Sequence, residues 1–347
     1  MKFHRIFLPF SCKLSCIRSL SVLGPTNSLW SGTVLVAALL APLPALAQQP
    51  YPARAVRFVV PSAPGGGTDI TARIVAPKLS EFLGQQVVVE NRAGAGTMIG
   101  GEVVARAAPD GYTLLVGIST LAINPAMVRK VPYDALRDFA PISQLVSTAN
   151  ILVTHPSLPA KTVKELIAFA RLRPGQLYYA SAGVGTNPHL SVELFQSLAG
   201  IRMVHVPYKG SGQGIVDVVA GHVPVMMPSI LTGLPYAKNG RLRALGVTGA
   251  KRVAGAPDIP TIAEAGVPGY EAVQWFGVLA PAATPRAIVT RLHGEIVRTL
   301  QAADVRGRLL ADGADPVGNT PEEFAAYLRS ETAKWAKVVK DAGIQPE

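Results

Sequence analysis

Short apolar runs alternate with amphipathic stretches along most of the chain. The runs are continuous and rich in valine and leucine, which is typical of strands buried on both faces of a parallel sheet. The stretches between them place apolar residues at helical spacing, as at Ile70, Ile74 and Leu79. Strands are predicted at 57–60, 86–90, 112–118, 178–181, 203–206, 223–227 and 242–248. Helices are predicted at 68–83, 98–107, 162–173, 188–199, 211–220, 285–310 and 321–342. The pattern predicts an α/β protein with mostly parallel sheets.

Two long extended segments, 139–155 and 273–281, are predicted to carry the chain between two lobes. If both cross at one hinge, the first lobe comprises 48–151 plus 271–347, and the second comprises 152–270. A cleft then lies between the lobes, and clefts at domain interfaces are where small ligands bind.

The first 47 residues have the features of an export signal. They contain four Lys and Arg and no acid, followed by an apolar run from Leu29 to Leu46 and an Ala45-Leu46-Ala47 cleavage motif. We predict cleavage after Ala47, since Gly32 and two prolines interrupt the run that a retained membrane anchor would need. Both cysteines, Cys12 and Cys16, fall in this segment, so disulfides and thiolate chemistry are not expected in the mature chain.

The mature chain is basic, with 29 of the 33 Lys and Arg and all 22 Asp and Glu beyond residue 47. The basic residues are scattered singly or in pairs and are not interleaved with aromatic residues. We therefore expect no nucleic-acid partner, and interpret the charge as a solvated surface that favours the approach of anions.

A glycine-rich loop follows the first predicted strand and leads into a helix. A helix start leaves backbone N–H groups unpaired and carries partial positive charge, so glycines there let a carboxylate or phosphate approach the amides closely. We place the helix cap at Thr68 or Asp69. The candidate residues of this loop are Ala63, Pro64, Gly65, Gly66, Gly67, Thr68 and Asp69.

A second loop of the same kind lies between the strand at 178–181 and the helix at 188–199. Thr186 or Asn187 can cap that helix, with Pro188 at its first position. Both loops are also explained as ordinary turns of an α/β protein. The candidate residues of the second loop are Ser181, Gly183, Gly185 and Thr186.

Five further residues are candidates for ligand contact, each with a structural alternative. Thr120 and Asn124 follow a strand end and are polar, but a simple turn explains them too. Tyr208 ends another strand, and Asp217 lies on a helix that can equally turn it to water. Trp275, like Phe276 beside it, walls the cleft or belongs to the core. Asp69 either caps its helix or faces a ligand ammonium group.

Enzyme signatures are weak in this chain. The five histidines beyond residue 47 have no ligand-spaced partners, and neither a G-x-S-x-G elbow nor a P-loop lysine is present. We expect a non-enzyme without metal or cofactor. The alternative is a dinucleotide-binding oxidoreductase, because the glycines at 94–100 follow a strand and precede a helix.

Several segments together resemble one family, the Bug-type (TctC-like) substrate-binding receptors of tripartite tricarboxylate transporters. The likeness runs in order from about residue 51 to the C-terminus. The segments are VPSAPGGGTD at 60–69, VENRAGAG at 89–96, PDGY at 109–112, DFAPI at 138–142, HVPYKG at 205–210 and ALGVT at 244–248.

The resemblance implies a periplasmic receptor with a two-lobed, type II periplasmic-binding-protein-like fold. It implies that the lobes close on a small carboxylate, which is handed to membrane permease subunits, and that the loops at 63–69 and 181–186 hold the carboxylate. We expect a monomer. A ligand-presenting partner of a membrane kinase is an alternative that keeps the same cleft.

The sequence departs from the family at Pro224 and Pro228, where relatives commonly place aspartate. Such an acid is a natural partner for an amino-acid ammonium group. Its absence leads to the hypothesis that the ligand is a carboxylate without an amine.

Overall fold

The computed structural model of the protein describes residues 51–341. The predicted export signal, its cleavage site and both cysteines lie outside the described residues. Within residues 51–341, no helix combines the length and the apolar character needed to cross a bilayer.

The strands of the described chain form two sheets. The first sheet has the order β11-β4-β10-β3-β1-β2 and the second has the order β7-β6-β8-β5-β9. The strands are β1 (Val56–Val60), β2 (Val87–Asn91), β3 (Thr113–Ile118), β4 (Phe139–Ala149), β5 (Ile151–Thr154), β6 (Tyr178–Ser181), β7 (Val204–Pro207), β8 (Val225–Met226), β9 (Arg243–Val247), β10 (Val273–Pro281) and β11 (Ala314–Pro316).

Pairing within the sheets is mixed rather than mostly parallel. β1 runs parallel to β2 and β3, and β6 runs parallel to β7 and β8. In contrast, β10 is antiparallel to β3 and β4, and β5 is antiparallel to β8 and β9. The strands that carry the chain between the sheets run against their neighbours, which the local pattern of apolar residues does not reveal.

Ten helices cover the sheets within residues 51–341. The helix predicted over 285–310 is two helices, because Ala302 adopts an extended conformation with ψ 131°. The helices are α1 (Gly67–Leu83), α2 (Met98–Ala105), α3 (Thr120–Met127), α4 (Val163–Leu172), α5 (Asn187–Ala199), α6 (Ser211–Val219), α7 (Ile230–Lys238), α8 (Arg286–Gln301), α9 (Ala303–Ala311) and α10 (Pro321–Asp341).

Neither α3 nor α7 was predicted. Each is short, contains a proline, Pro125 or Pro235, and is buried over most of its surface. An apolar stripe facing a polar one is the signal by which a helix is found in a sequence, and neither helix has it.

Apolar clusters lie on both faces of each sheet. Along β1, Phe58 and Val60 enter one cluster and Val59 enters the cluster on the opposite face. In the second sheet, Tyr179 and Ala180 likewise belong to clusters on opposite faces. The alternation of side chains along a strand thus gives each sheet helices on both sides.

The chain passes between the sheets at two adjacent places. β4 in the first sheet ends at Ala149, and β5 in the second begins at Ile151. The returning strand β10 begins at Val273, which pairs with Ala149. Both crossings therefore lie side by side, which is the arrangement of a hinge. The boundaries of the lobes, 48–151 plus 271–347 and 152–270, remain predictions.

Candidate functional site

The first glycine loop connects β1 to α1 and leaves the start of the helix open. The N-cap is Gly66, whose side chain cannot cap, so the predicted cap at Thr68 or Asp69 is wrong. Gly65 adopts φ 79°, a left-handed conformation that favours glycine. The backbone amides of the first turn are therefore accessible to an anion.

Asp69 faces the loop that precedes its helix. Its Oδ2 accepts a hydrogen bond from the backbone N–H of Gly65 at 2.9 Å. Its Oδ1 accepts from Arg73 Nε at 2.9 Å and from Asn91 Nδ2 at 3.0 Å. The carboxylate is thus satisfied by the protein, and its negative charge is balanced by Arg73.

Four helices begin around one small cavity, which we call the serine cavity. The start of α1 comes from the first lobe, and the starts of α5, α6 and α7 come from the second. The cavity has a volume of about 20 Å³ and is lined by Ser62, Gly66, Gly67, Thr68, Ile118, Ala182, Pro188, Ser211, Ser229, Gln274 and Phe276.

The serine cavity has the electrostatic character of an anion site. In the described chain, none of the four helices has a side chain hydrogen-bonded to its first-turn amides. Each helix start carries partial positive charge from its aligned peptide dipoles. The starts of α1 from one lobe and of α6 and α7 from the other therefore offer N–H groups suited to a carboxylate without requiring a Lys or Arg side chain, while Pro188 of α5 has no N–H to offer.

A second cavity, the tyrosine cavity, adjoins the first and shares Ser62, Ile118 and Ala182 with it. It has a volume of about 80 Å³ and is lined by Ser62, Gly94, Ala95, Gly96, Thr97, Ile118, Ala182, Thr186, Tyr208 and Lys209. Ala95 and Thr97 adopt φ 46° and φ 78°, which is uncommon outside glycine and occurs most often at functional sites. The two cavities therefore lie next to each other between the lobes.

The lobes touch around these cavities, so the structure is closed. The backbone N–H of Ala63 donates to the carbonyl of Lys209 at 3.4 Å, and Thr232 Oγ1 donates to the carbonyl of Gly65 at 3.3 Å. At Gly212, an added Cβ would lie 2.0 Å from the carbonyl oxygen of Pro64. The glycines of α6 therefore allow the backbones of the two lobes to meet.

The second glycine loop is held by hydrogen bonds within its own lobe. Ser181 Oγ accepts from the backbone N–H of Gly183 at 3.0 Å, and Thr186 Oγ1 donates to the carbonyl of Gly183 at 2.6 Å. Thr186 is the N-cap residue of α5, one of the two predicted, and it lines the tyrosine cavity. Gly185 adopts φ 72° and its N–H donates to His189 Nδ1 at 3.2 Å.

Two stacked histidines lie behind this second loop. The rings of His189 and His205 are parallel with centroids 4.0 Å apart, and His205 Nε2 lies 2.6 Å from Ser181 Oγ. Burial lowers the pKa of each imidazole to about 4. Both rings are thus neutral at pH 7, which leaves His189 Nδ1 able to accept from Gly185.

Five of the sixteen predicted residues line the two cavities, and eleven lie outside both linings: Ala63, Pro64, Gly65, Asp69, Thr120, Asn124, Ser181, Gly183, Gly185, Asp217 and Trp275. Asn124 donates to the carbonyl of Gly96 at 3.2 Å and so supports the cavity wall. Thr120 is fully buried beside it in α3. Trp275 lies in the core, 5.4 Å from the ring of Phe324. The predicted contact of Trp275 with the cleft is therefore corrected, because alternation along β10 turns Gln274 and Phe276 to the cavity instead.

Asp217 also lies outside both linings. Its Oδ2 accepts a hydrogen bond from the hydroxyl of Tyr208 at 2.5 Å, and His222 Nδ1 lies 3.5 Å from its Oδ1. The hydroxyl of Tyr208 and the neighbouring His222 lower the pKa of Asp217. Burial and Asp217 raise the pKa of Tyr208 to about 12. Asp217 thus supports the tyrosine that lines the cavity.

Four polar residues of the serine cavity were missed from the sequence: Ser62, Ser211, Ser229 and Gln274. Ser211 is the first residue of α6, a helix that was predicted, but the serine itself was not proposed as a ligand contact. Ser229 immediately precedes α7, and a serine ahead of the apolar run Ile230-Leu231 is a signal that could have identified it. Gln274 lies within a crossing strand whose cavity-facing side the sequence does not reveal. Ser62 lies between β1 and the glycines and was not distinguished from them.

Comparisons with known proteins agree on one family. Residues 71–344 match the family model described as tripartite tricarboxylate transporter family receptor. Protein BugT of Bordetella pertussis is 39% identical over 297 residues, which are 85% of this chain and 91% of BugT.

Solved structures extend the likeness to the fold. An R. palustris protein with adipate is 39% identical, with a TM-score of 0.83 over 86% of this chain and 100% of that one. The periplasmic binding protein BugD is 32% identical, with a TM-score of 0.83 over 86% of this chain and 100% of BugD. The predicted two-lobed α/β fold of a periplasmic binding protein is confirmed.

Proposed function

Because the chain belongs to the family of tripartite tricarboxylate transporter receptors, we propose that it captures a small, amine-free carboxylate between its lobes and delivers it to permease subunits in the membrane. Members of this family are receptors for small carboxylates and work with tripartite transporters. The chain is accordingly a binding protein rather than an enzyme, and the oxidoreductase alternative is set aside.

The meeting of four helix starts in the serine cavity carries this proposal. Residues at the N-termini of α1, α5, α6 and α7 line this cavity from both lobes, and those of α1, α6 and α7 have backbone N–H groups, whereas α5 contributes Pro188, which has none. An anion there gains hydrogen bonds from both lobes only when the lobes are closed. Ligand binding therefore shifts the protein from an open to a closed population, and closure is the signal that a permease reads.

The linings of the two cavities support a ligand without an amine. Within the described residues, no Asp or Glu lines either cavity. Asp69 is paired with Arg73, and Asp217 is bonded to Tyr208. Pro224 and Pro228 do not line the cavities either. An ammonium group would therefore enter the cleft without a carboxylate partner, at a cost in desolvation.

The adjacent positions of the two cavities suggest where the rest of the ligand lies. With its carboxylate in the serine cavity, the carbon skeleton extends past Ile118 and Ala182 into the tyrosine cavity. There the ring of Tyr208, the backbone of 94–96 and the exposed Lys209 surround its far end. Adipate, which is bound in the solved R. palustris relative, is a ligand of this shape.

We also propose that the receptor is exported with cleavage after Ala47 and acts as a monomer in the periplasm. The basic, apolar and small-residue segments at 1–47 support export. A ligand-presenting partner of a membrane kinase would use the same cleft, and no feature of residues 51–341 favours it.

Native mass spectrometry of the purified protein, followed by a calorimetric screen, tests the proposal. We expect an organic acid to co-purify, and we expect acids such as succinate, malate or adipate to bind. Aspartate and glutamate are the matched amine-bearing controls. Tight binding of these amino acids with no response to the plain acids would contradict the proposed ligand class.

A further inference from the structure

The serine cavity contains three buried polar atoms that lack hydrogen-bond partners. They are Ser62 Oγ, Ser229 Oγ and Gln274 Oε1. Their residues are 7%, 2% and 3% exposed, respectively. Leaving a buried polar group unpaired costs free energy, so three such groups around one cavity indicate a ligand that pairs with them.

The three residues come from different parts of the fold and surround the start of α1. A Cβ added at Gly67 would lie 2.5 Å from Ser229 Oγ and 3.0 Å from the ring of Phe276. A Cβ added at Gly66 would lie 3.7 Å from Ser62 Oγ. Gln274 and Phe276 both line the cavity from β10. Ser62 Oγ and Ser229 Oγ are therefore next to the start of α1, and Gln274 lines the same cavity.

The three unpaired atoms differ in whether they can donate a hydrogen bond. A serine hydroxyl donates or accepts, so Ser62 and Ser229 can both donate to a carboxylate. The side-chain oxygen of Gln274 only accepts. A carboxylate also offers only acceptors, so it cannot pair with Gln274 Oε1. In a ligand without an amine, the group that can is a hydroxyl donor attached next to the carboxylate.

We propose that the receptor selects a 2-hydroxycarboxylate and that Gln274 is the residue that recognises the hydroxyl. This inference rests on the proposed function of the cleft as a carboxylate site. The carboxylate accepts from the helix amides and from Ser62 and Ser229, and the adjacent hydroxyl donates to Gln274 Oε1. The ring of Phe276 covers the carbon between them.

Pairs of acids that differ only in the hydroxyl test the inference. We would measure affinities of the mature protein by calorimetry for malate against succinate, lactate against propionate and 2-hydroxyadipate against adipate. For the skeleton that binds tightest, the hydroxy acid should bind at least about tenfold tighter, the effect of one buried hydrogen bond. Equal or tighter binding of the plain acid would overturn the hydroxyl inference while leaving the carboxylate receptor intact.

Substitution of Gln274 identifies the residue responsible. Gln274→Leu and Gln274→Met both remove the acceptor, and methionine keeps the unbranched shape of glutamine. In both variants the affinity for the hydroxy acid should exceed that for the plain acid by no more than about threefold. Thr154→Val is the matched control, since Thr154 Oγ1 is also buried and unpaired but lies on β5, outside both cavities. The control should keep the full preference. An unchanged preference in folded Gln274 variants would exclude Gln274 as the selecting residue.

A third outcome would test the proposed carboxylate site rather than the preference for a hydroxy acid. If none of the six acids or other organic acids binds, while thermal unfolding shows a folded protein, the carboxylate site is wrong. Failure of the hydroxyl inference and failure of the receptor proposal are thus separate results.

Discussion

The carboxylate of Asp69 accepts a hydrogen bond from the backbone N–H of Gly65, with 2.9 Å between nitrogen and Oδ2. The bond spans the turn between β1 and α1 and fixes the loop in a conformation that favours glycine at position 65. An acid beside an anion site would ordinarily repel the ligand. Here the charge is balanced by Arg73, so Asp69 shapes the binding loop without opposing the anion.

Replacing Asp69 with alanine should loosen the first loop. The N–H of Gly65 would lose its acceptor and Asn91 Nδ2 would keep only the carbonyl of Ser62, at a cost of about 1–3 kcal/mol in the free energy of unfolding. Ligand affinity should fall by about tenfold, because the amides of α1 are no longer held in place. Urea unfolding and calorimetry measure the two effects.

A matched control for this variant is Glu102→Ala. Glu102 forms an ion pair with Arg106 at the same i,i+4 spacing, but on an exposed surface of α2. Surface pairs contribute little, so stability should change by less than about 1 kcal/mol and affinity should not change. If Asp69→Ala bound ligand as tightly as the native protein, the loop would not depend on this carboxylate.

Much of the fold could be predicted because its elements have strong local signals. Apolar runs located β1, β3 and β6, and glycine-rich turns located the starts of α1 and α5. The break between α8 and α9 was missed, since Ala302 is an unremarkable residue within an amphipathic pattern and its extended conformation is set by tertiary contacts.

The composition of the site was harder to predict than its location. The side of β10 that meets the cavity depends on how the lobes fold together. Both Trp275 and Phe276 were therefore candidates, whereas Phe276 and the unpredicted Gln274 line the space. The convergence of α6 and α7 with α1 is likewise a contact between lobes. Local sequence contains no information about which distant helix starts will meet.

Replacing Gly66 with valine should abolish binding while preserving the fold. Gly66 has φ −78°, which valine adopts, and its Cβ would approach the carbonyl of Ala63 no closer than 3.5 Å. The branched side chain would fill the serine cavity and block the amides of α1. Calorimetry should show no binding, and circular dichroism should show native structure. Native-like affinity in the folded variant would place the anion elsewhere.

The stacked histidines predict a dependence of stability on pH. Burial lowers the pKa of His189 and of His205 from 6.5 to about 4 in the folded protein. The unfolded chain therefore binds more protons between these values. The contribution to stability is fully present above pH 6.5 and is lost as the pH falls towards about 4. Denaturant unfolding across this range should show the free energy of unfolding decline by a few kcal/mol.

Substitutions assign this pH dependence to the two rings. In the double variant His189→Gln and His205→Gln, the decline between pH 6.5 and 4 should become smaller, because no buried imidazole remains to be protonated. His222→Asn changes an exposed histidine and should leave the decline unchanged. The opposite pattern, with the decline sensitive to His222 alone, would contradict the assignment.

Closure of the lobes depends on Gly212 in α6. A Cβ at this position would lie 2.0 Å from the carbonyl oxygen of Pro64, so Gly212→Ala should hold the lobes apart. Affinity should fall by at least about tenfold because the closed state becomes a minor population, and ligand should no longer reduce the radius of gyration in X-ray scattering.

Gly294→Ala is the control, since Gly294 is also helical but has no atom within 4 Å of an added Cβ. It should raise stability by up to about 1 kcal/mol and leave both affinity and compaction unchanged. If ligand reduced the radius of gyration of Gly212→Ala as much as that of Gly294→Ala, the contact between Gly212 and Pro64 would not be needed for the bound state.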